Sequence, residues 1–141
     1  MFEDNYMLKK SPSGSLCPYY YMGGELHPLH YGSYHDSKKS LFEIIDAEEA
    51  FILKSSGKNN RNIWIDLYET NIDDELIDKL ISHFIAIKHK IHRLCLVGCN
   101  YKIIKKIKST LKKKDIDIYN YIQFFDDPEM AKQWLIGKIH E

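Results

Sequence analysis

The sequence predicts an α/β fold: a single domain with a mixed sheet, an N-terminal hairpin and three parallel strands alternating with four helices. Three observations predict it. From residue 36 onward, apolar residues recur at steps of three and four, interrupted by apolar runs too short to be helices. Those runs, IWIDL at 63–67, RLCLVG at 93–98 and YIQFF at 121–125, are each separated by one helical pattern. Right-handed crossovers across such units make the strands parallel. The third observation is an aromatic stretch, PYYYMGGELHPLHYGSY, with a glycine pair where a hairpin needs a turn. At 141 residues the chain is long enough for one core and too short for two.

Each element has a local reason. Residues 1–16 are polar around Ser-Pro-Ser-Gly and read as a flexible tail, so the domain spans 17–141. Three tyrosines and Met22 favour a strand, Gly23-Gly24 a turn, and 25–31 a returning strand. Pro28 demotes that second strand to an edge or a broken one. Leu41, Ile44, Ile45, Ala47, Glu48, Phe51 and Ile52 mark a helix over about 37–54, capped by Asp36 or Ser37 and stopped at SSGKNN. Asn71 is expected to cap the next helix. Its first turn carries Asp73, Asp74 and Glu75, as the positive end of a helix dipole prefers, and its stripe runs from Ile77 through Leu80, Ile81, Phe84 and Ile87 or Lys88 to Ile91. Asn100 opens a third helix with Ile103, Ile104, Ile107 and Leu111 inside and lysines outside. Asp127 caps a fourth with Pro128 at its first position, docked by Met130, Ala131, Trp134 and Leu135.

Composition narrows function mainly by exclusion. Twenty basic and twenty acidic side chains cancel, so no global charge announces a nucleic-acid partner. No run approaches the roughly 20 apolar residues of a membrane span, and the start, MFEDNYMLKK, does not read as a secretory signal. Cys17, Cys95 and Cys99 have neither disulfide nor zinc-ribbon spacing, which makes a reduced, cytoplasmic protein the expectation.

The hairpin leading into Tyr31-Gly32 with Asp36 opening a helix, the strand IWIDL, RLCLVG and the segment FFDDPEMAKQWL together resemble the STAS domains, over residues 19–138. The similarity is greatest to the SpoIIAA-like, anti-sigma-factor-antagonist-like branch, related to the CRAL-TRIO lipid-binding domains. The resemblance implies a non-enzymatic regulatory or adaptor module that binds a protein partner. Partner-switching members phosphorylate a serine at the start of the helix after the IWIDL-type strand. Here that turn reads ETNIDDELI, without serine: Glu75 falls near the phosphoacceptor place and Thr70 is the nearby hydroxyl. The CRAL-TRIO kinship implies a second possibility, a small lipophilic guest between sheet and helices.

Candidate sites follow from where α/β sheets bind ligands, beyond the carboxyl ends of parallel strands. The expected partner surface is Glu69, Thr70, Asn71, Asp73, Asp74 and Glu75. Asp66, Gly98, Cys99, Asn100 and Tyr101 form the expected anion or ligand site, with backbone N–H groups at a helix start. Cys99 there is a candidate for a lowered pKa. Asp66 stands where a receiver domain keeps its phosphoacceptor, but the earlier acidic pair and the later lysine of a receiver are missing, so no catalytic residue is assigned. Dinucleotide and nucleotide glycine fingerprints are also missing, and no cofactor is expected. His27, His30 and His35 fit no standard zinc spacing, and His83, His89 and His92 read as surface groups; no metal site is assigned. Lys102, Lys105, Lys106, Lys108, Lys112, Lys113 and Lys114 give one helix a basic surface. With no arginine or aromatic interleaved, nucleic acid is not the expected partner.

Overall fold

The structure, a computed structural model, describes residues 9–17, 19–54 and 61–137. A small antiparallel ladder, β1 (Lys9–Lys10) with β2 (Leu16–Cys17), precedes the main sheet. The chain continues through β3 (Tyr19–Tyr21), β4 (Gly24–His30), α1 (Lys38–Lys54), β5 (Arg61–Asp66) and α2 (Asp74–Ile87). A 3₁₀ turn (Lys88–Lys90), β6 (Ile91–Val97), α3 (Tyr101–Lys114), α4 (Ile116–Tyr121), β7 (Ile122–Phe125) and α5 (Pro128–Leu135) complete it. The main sheet has the order β3-β4-β5-β6-β7, with β3 antiparallel to β4 and all later pairs parallel. The expected α/β class with hairpin and parallel strands is present, and β4 joins the parallel set as its fourth strand.

Because β4 to β7 advance in one direction, right-handed crossovers deliver their helices to one face. Inward residues Leu29, Tyr31, Ile63, Ile65, Leu94 and Leu96 meet α1, α2, α3 and α4 there in the larger core. Helix α5 follows the last strand and packs on the other face, where Ala131, Trp134 and Leu135 cover Leu26, Trp64, Cys95 and Val97. The Arg93 guanidinium sits 5.1 Å over the Trp134 ring and donates to the Trp134 carbonyl, pinning α5 to β6.

Several elements differ from the sequence reading for local reasons. Asp73, not Asn71, caps α2, accepting from Leu76 N at 2.9 Å. Asn71 is instead held by its backbone N–H on the His35 carbonyl. Ile91 begins β6 rather than ending the α2 stripe, and Tyr121 ends a helix rather than starting a strand. That helix, α4, is short and capped by Asp115. Met130 is exposed, because α5 turns Ala131, Trp134 and Leu135 inward. Pro28 does not break β4. Its carbonyl accepts from Ser15 Oγ at 2.7 Å on the side away from β5, so its missing N–H faces the same way and removes no bond of the parallel ladder.

Residues 9–16, within the expected tail, are held against this open side of β4; residues 1–8 lie outside the described residues. Ser13 Oγ accepts from His30 N at 3.1 Å. The anchor is Glu48, fully buried on the inner face of α1. Its Oε2 accepts from Ser11 Oγ at 2.8 Å, from Ser13 N at 2.9 Å and from Ser13 Oγ. Its Oε1 faces His27 Nε2 at 3.6 Å. Arg61 donates to His27 Nδ1, which leaves the ring proton of the neutral imidazole on Nε2, pointing at the carboxylate. A second buried relay ties α1 and α2 to β4. His83, expected at the surface, is buried, with Nδ1 on Glu49 Oε1 at 3.0 Å and Nε2 on the Tyr31 hydroxyl at 2.9 Å. Burial and the charges of Glu48 and Glu49 push the Tyr31 phenol well above its ordinary range, so it serves as a donor.

Burial pushes the Glu48 carboxyl up, but the approach of His27 and the serine hydrogen bonds outweigh it and hold the pKa below the ordinary 4.5. Its stabilisation is therefore complete above that value and is lost as pH falls through the lower folded-state pKa. Glu48→Gln should cost about 1–3 kcal/mol at pH 7, since an amide offers one acceptor oxygen to donors on both sides. In urea unfolding, that difference from the native protein should narrow as the pH falls to about 3; a gap independent of pH would show that the carboxylate charge is not what is held.

Candidate functional site at the carboxyl ends of the strands

After β6 the chain leaves toward α3 on one face of the sheet, and after β7 it leaves toward α5 on the other. Between such diverging exits an α/β sheet ordinarily opens its ligand crevice. Tyr68 occupies that place. Its hydroxyl donates to the Asp126 carbonyl at 3.0 Å, carrying the side chain from the end of β5 across to the end of β7. Gly98 lies beneath it at φ +94°, and a Cβ added there would come 2.7 Å from Tyr68 N and 3.2 Å from Tyr68 Cδ1. Only glycine combines that backbone angle with so close an approach. Burial and the neighbouring charges of Asp126, Asp66 and Asp127 raise the Tyr68 pKa, so the phenol stays protonated and keeps donating.

The loops after β4 and β5 run side by side beyond the strands. Tyr31 N bonds to Asp66 O, Ser33 N to Tyr68 O, His35 N to Glu69 O and Asn71 N back to His35 O. This pairing holds three non-glycine residues, Ser33, His35 and Glu69, at φ of +66°, +50° and +56°. Each costs of order 1–3 kcal/mol unless the surroundings over-determine it.

Asp66 is the last residue of β5 and points to the α5 face, the same side as Trp64. Its Oδ2 accepts from His30 Nδ1 at 2.9 Å across the adjacent strand. Its Oδ1 lies so near Gly32 that a Cβ there would stand 2.2 Å away. A carboxylate-oriented imidazole is the form of a general base. The hydroxyl bonded beside it, Ser13 Oγ, reaches the His30 backbone rather than the ring and is itself committed to Glu48. Among the described residues no three His, Cys, Asp or Glu side chains gather as a metal site.

The acidic turn is largely compensated from within. Lys38 Nζ lies 2.6 Å from Asp73 and 2.7 Å from Glu75, and Lys106 pairs with Asp74. Glu69 is exposed and accepts from Ser33 Oγ. Thr70 Oγ1 donates to the Tyr31 carbonyl at 2.8 Å and accepts from Tyr34 N at 3.1 Å, so the turn's hydroxyl is engaged in joining the two loops.

Of the expected anion-binding residues, Asn100 caps α3 through Ile103 N as read from sequence, and Tyr101 is 76% exposed. Cys99 is corrected. It is buried in the larger core, and burial pushes its thiol from 9.0 up to about 12 instead of lowering it. Lys102, Lys105, Lys106, Lys112 and Lys113 all project from α3 into solvent. The bridge of Tyr68 over Gly98 is the feature sequence reasoning missed; the glycine ending RLCLVG was its only local signal.

No protein-family model, no curated protein and no solved structure matches this chain.

Two outcomes test this geometry. Iodoacetamide at about pH 8 should leave Cys95 and Cys99 unlabelled in the native protein and label both after unfolding, read by peptide mass spectrometry. Gly98→Ala should destabilise by about 2 kcal/mol or more, lowering the melting temperature by several degrees.

Proposed function

We propose that this chain is a non-enzymatic adaptor of STAS type, SpoIIAA-like, that docks a protein partner at the carboxyl end of its sheet and works in the cytoplasm. The observation that carries the reading is Tyr68. It fills the place where a small substrate would enter and still leaves 40% of its own surface exposed. A partly exposed aromatic anchor that fills the crevice suits a protein interface better than a reaction site. Glu69, Asp126 and Asp127 surround it with exposed carboxylates. The absence of a serine in the turn, together with the engagement of Thr70, favours a partner held without a phosphorylation switch. Among the described residues no helix is long and apolar enough to cross a membrane.

Carriage of a lipophilic guest is the weaker reading, because Leu29, Ile65, Phe84 and Leu96 already fill the layer between sheet and helices. The deciding experiment is affinity capture from native cytoplasm with the tagged chain and with Glu69→Lys/Asp126→Lys. The double variant reverses exposed charges around Tyr68 without touching the core. A stoichiometric protein should be captured by the native chain and drop at least about tenfold with the variant, at an unchanged melting temperature. Equal recovery would remove this surface from the proposal, and a lipid recovered without any protein would favour ligand carriage.

A further inference from the structure

Helix α3 and Tyr119 of α4 border an open groove of about 310 Å³, with Ile104 in its lining and Lys105, Lys108, Ser109 and Lys112 between Tyr101 and Tyr119. Tyr101, Lys105, Lys108 and Lys112 stand at four-, three- and four-residue steps, one row along α3 about 16 Å long at 1.5 Å per residue. The row is positive without compensation. Helix α3 contains seven lysines and no acid, and of these Lys106, outside the row, pairs with Asp74. Among the described residues, Lys105, Lys108 and Lys112 take part in no ion pair.

Two of these ammonium groups are placed by aromatic rings, Lys108 at 5.7 Å from the Phe124 centroid and Lys112 at 6.0 Å from that of Tyr119. The aromatics that the α3 sequence lacks between its lysines are thus supplied at the groove from its first residue, Tyr101, and from Tyr119 of α4. A concave lysine row bordered by rings is the combination that holds single-stranded nucleic acid, with phosphates on the cations and bases stacked on the rings. No arginine fork lies in the groove to read base edges, and the flanking tyrosine rings favour stacked bases over lipid headgroups.

We propose that this groove binds single-stranded nucleic acid without sequence preference. The site is separate from the docking surface around Tyr68, and either can fail without the other.

The test is fluorescence anisotropy with a labelled oligothymidylate and oligouridylate of about 15 nucleotides, within the site sizes such grooves cover. Three phosphate contacts predict a slope of log K against log salt of about −2, so that raising salt fourfold from about 50 mM weakens binding by about twentyfold. Lys105→Glu/Lys108→Glu/Lys112→Glu should abolish binding at low salt. Tyr101→Ala should weaken it several-fold while leaving the slope unchanged, which separates stacking from charge. Lys102→Glu/Lys113→Glu/Lys114→Glu, the same change in net charge outside the groove, should retain most of the affinity. All of these side chains are exposed, and circular dichroism should report an unaltered fold. No binding at low salt, or equal losses from the two triple variants, would overturn the proposal. So would tighter binding to phosphatidylserine vesicles that is indifferent to Tyr101→Ala, which would point to a membrane surface instead.

Discussion

The one-way advance of the parallel strands constrains everything else in this molecule. Because β4, β5, β6 and β7 follow one another across the sheet, each right-handed crossover lands on the same face, and four helices crowd there. Among the described residues α5 is the one helix on the opposite face, and its tryptophan is clamped by Arg93 from both ring and carbonyl. The same constraint places the diverging exits at β6 and β7. The crevice expected between them is bridged by Tyr68, and the loops around it are zipped together by backbone bonds rather than left open.

Charge is partitioned by the fold in a way that net charge hides. The acids of the turn before α2 sit at a helix N-terminus, where the dipole favours them, and are answered by Lys38 and Lys106. The buried Glu48 is held by Ser11 and Ser13, and the half-buried Glu49 by His83. Among the described residues the groove-facing lysines of α3 have no such answer. A chain of zero formal charge therefore presents an uncompensated positive row on one side and a carboxylate-rimmed tyrosine at another. Two kinds of partner chemistry can be served by surfaces that do not overlap electrostatically.

Buried polar networks show where reading a sequence by residue type falls short. Glu48 sits within the apolar stripe of α1, and His83 falls among the core positions of α2, so the pattern alone marks both as facing inward. What makes such burial tolerable comes from far away: serines 35 and 37 residues earlier for Glu48, and Tyr31, 52 residues earlier, for His83. Residue type argued for the surface, and packing decided otherwise because the partners were supplied. Cys99 is the parallel case. A helix start lowers a thiol pKa only where the thiolate is solvated, and here the side chain turns into the core.

By itself the sequence determined the class of the fold, the alternation of its four longer helices with the strands from β5 onward, the caps at Asn100 and Asp127 and most of the inward stripes of those helices. Each of these depends on neighbours within about four residues, the range over which helix and strand periodicity is written. Tertiary structure alone decided that residues 9–16 dock on Glu48, that His30 meets Asp66, that Tyr68 spans to Asp126 and that Tyr119 borders the lysine row of α3. Those contacts join separate elements, some as much as 58 residues apart, and side chains that meet only after the sheet is assembled leave no periodic trace along the chain.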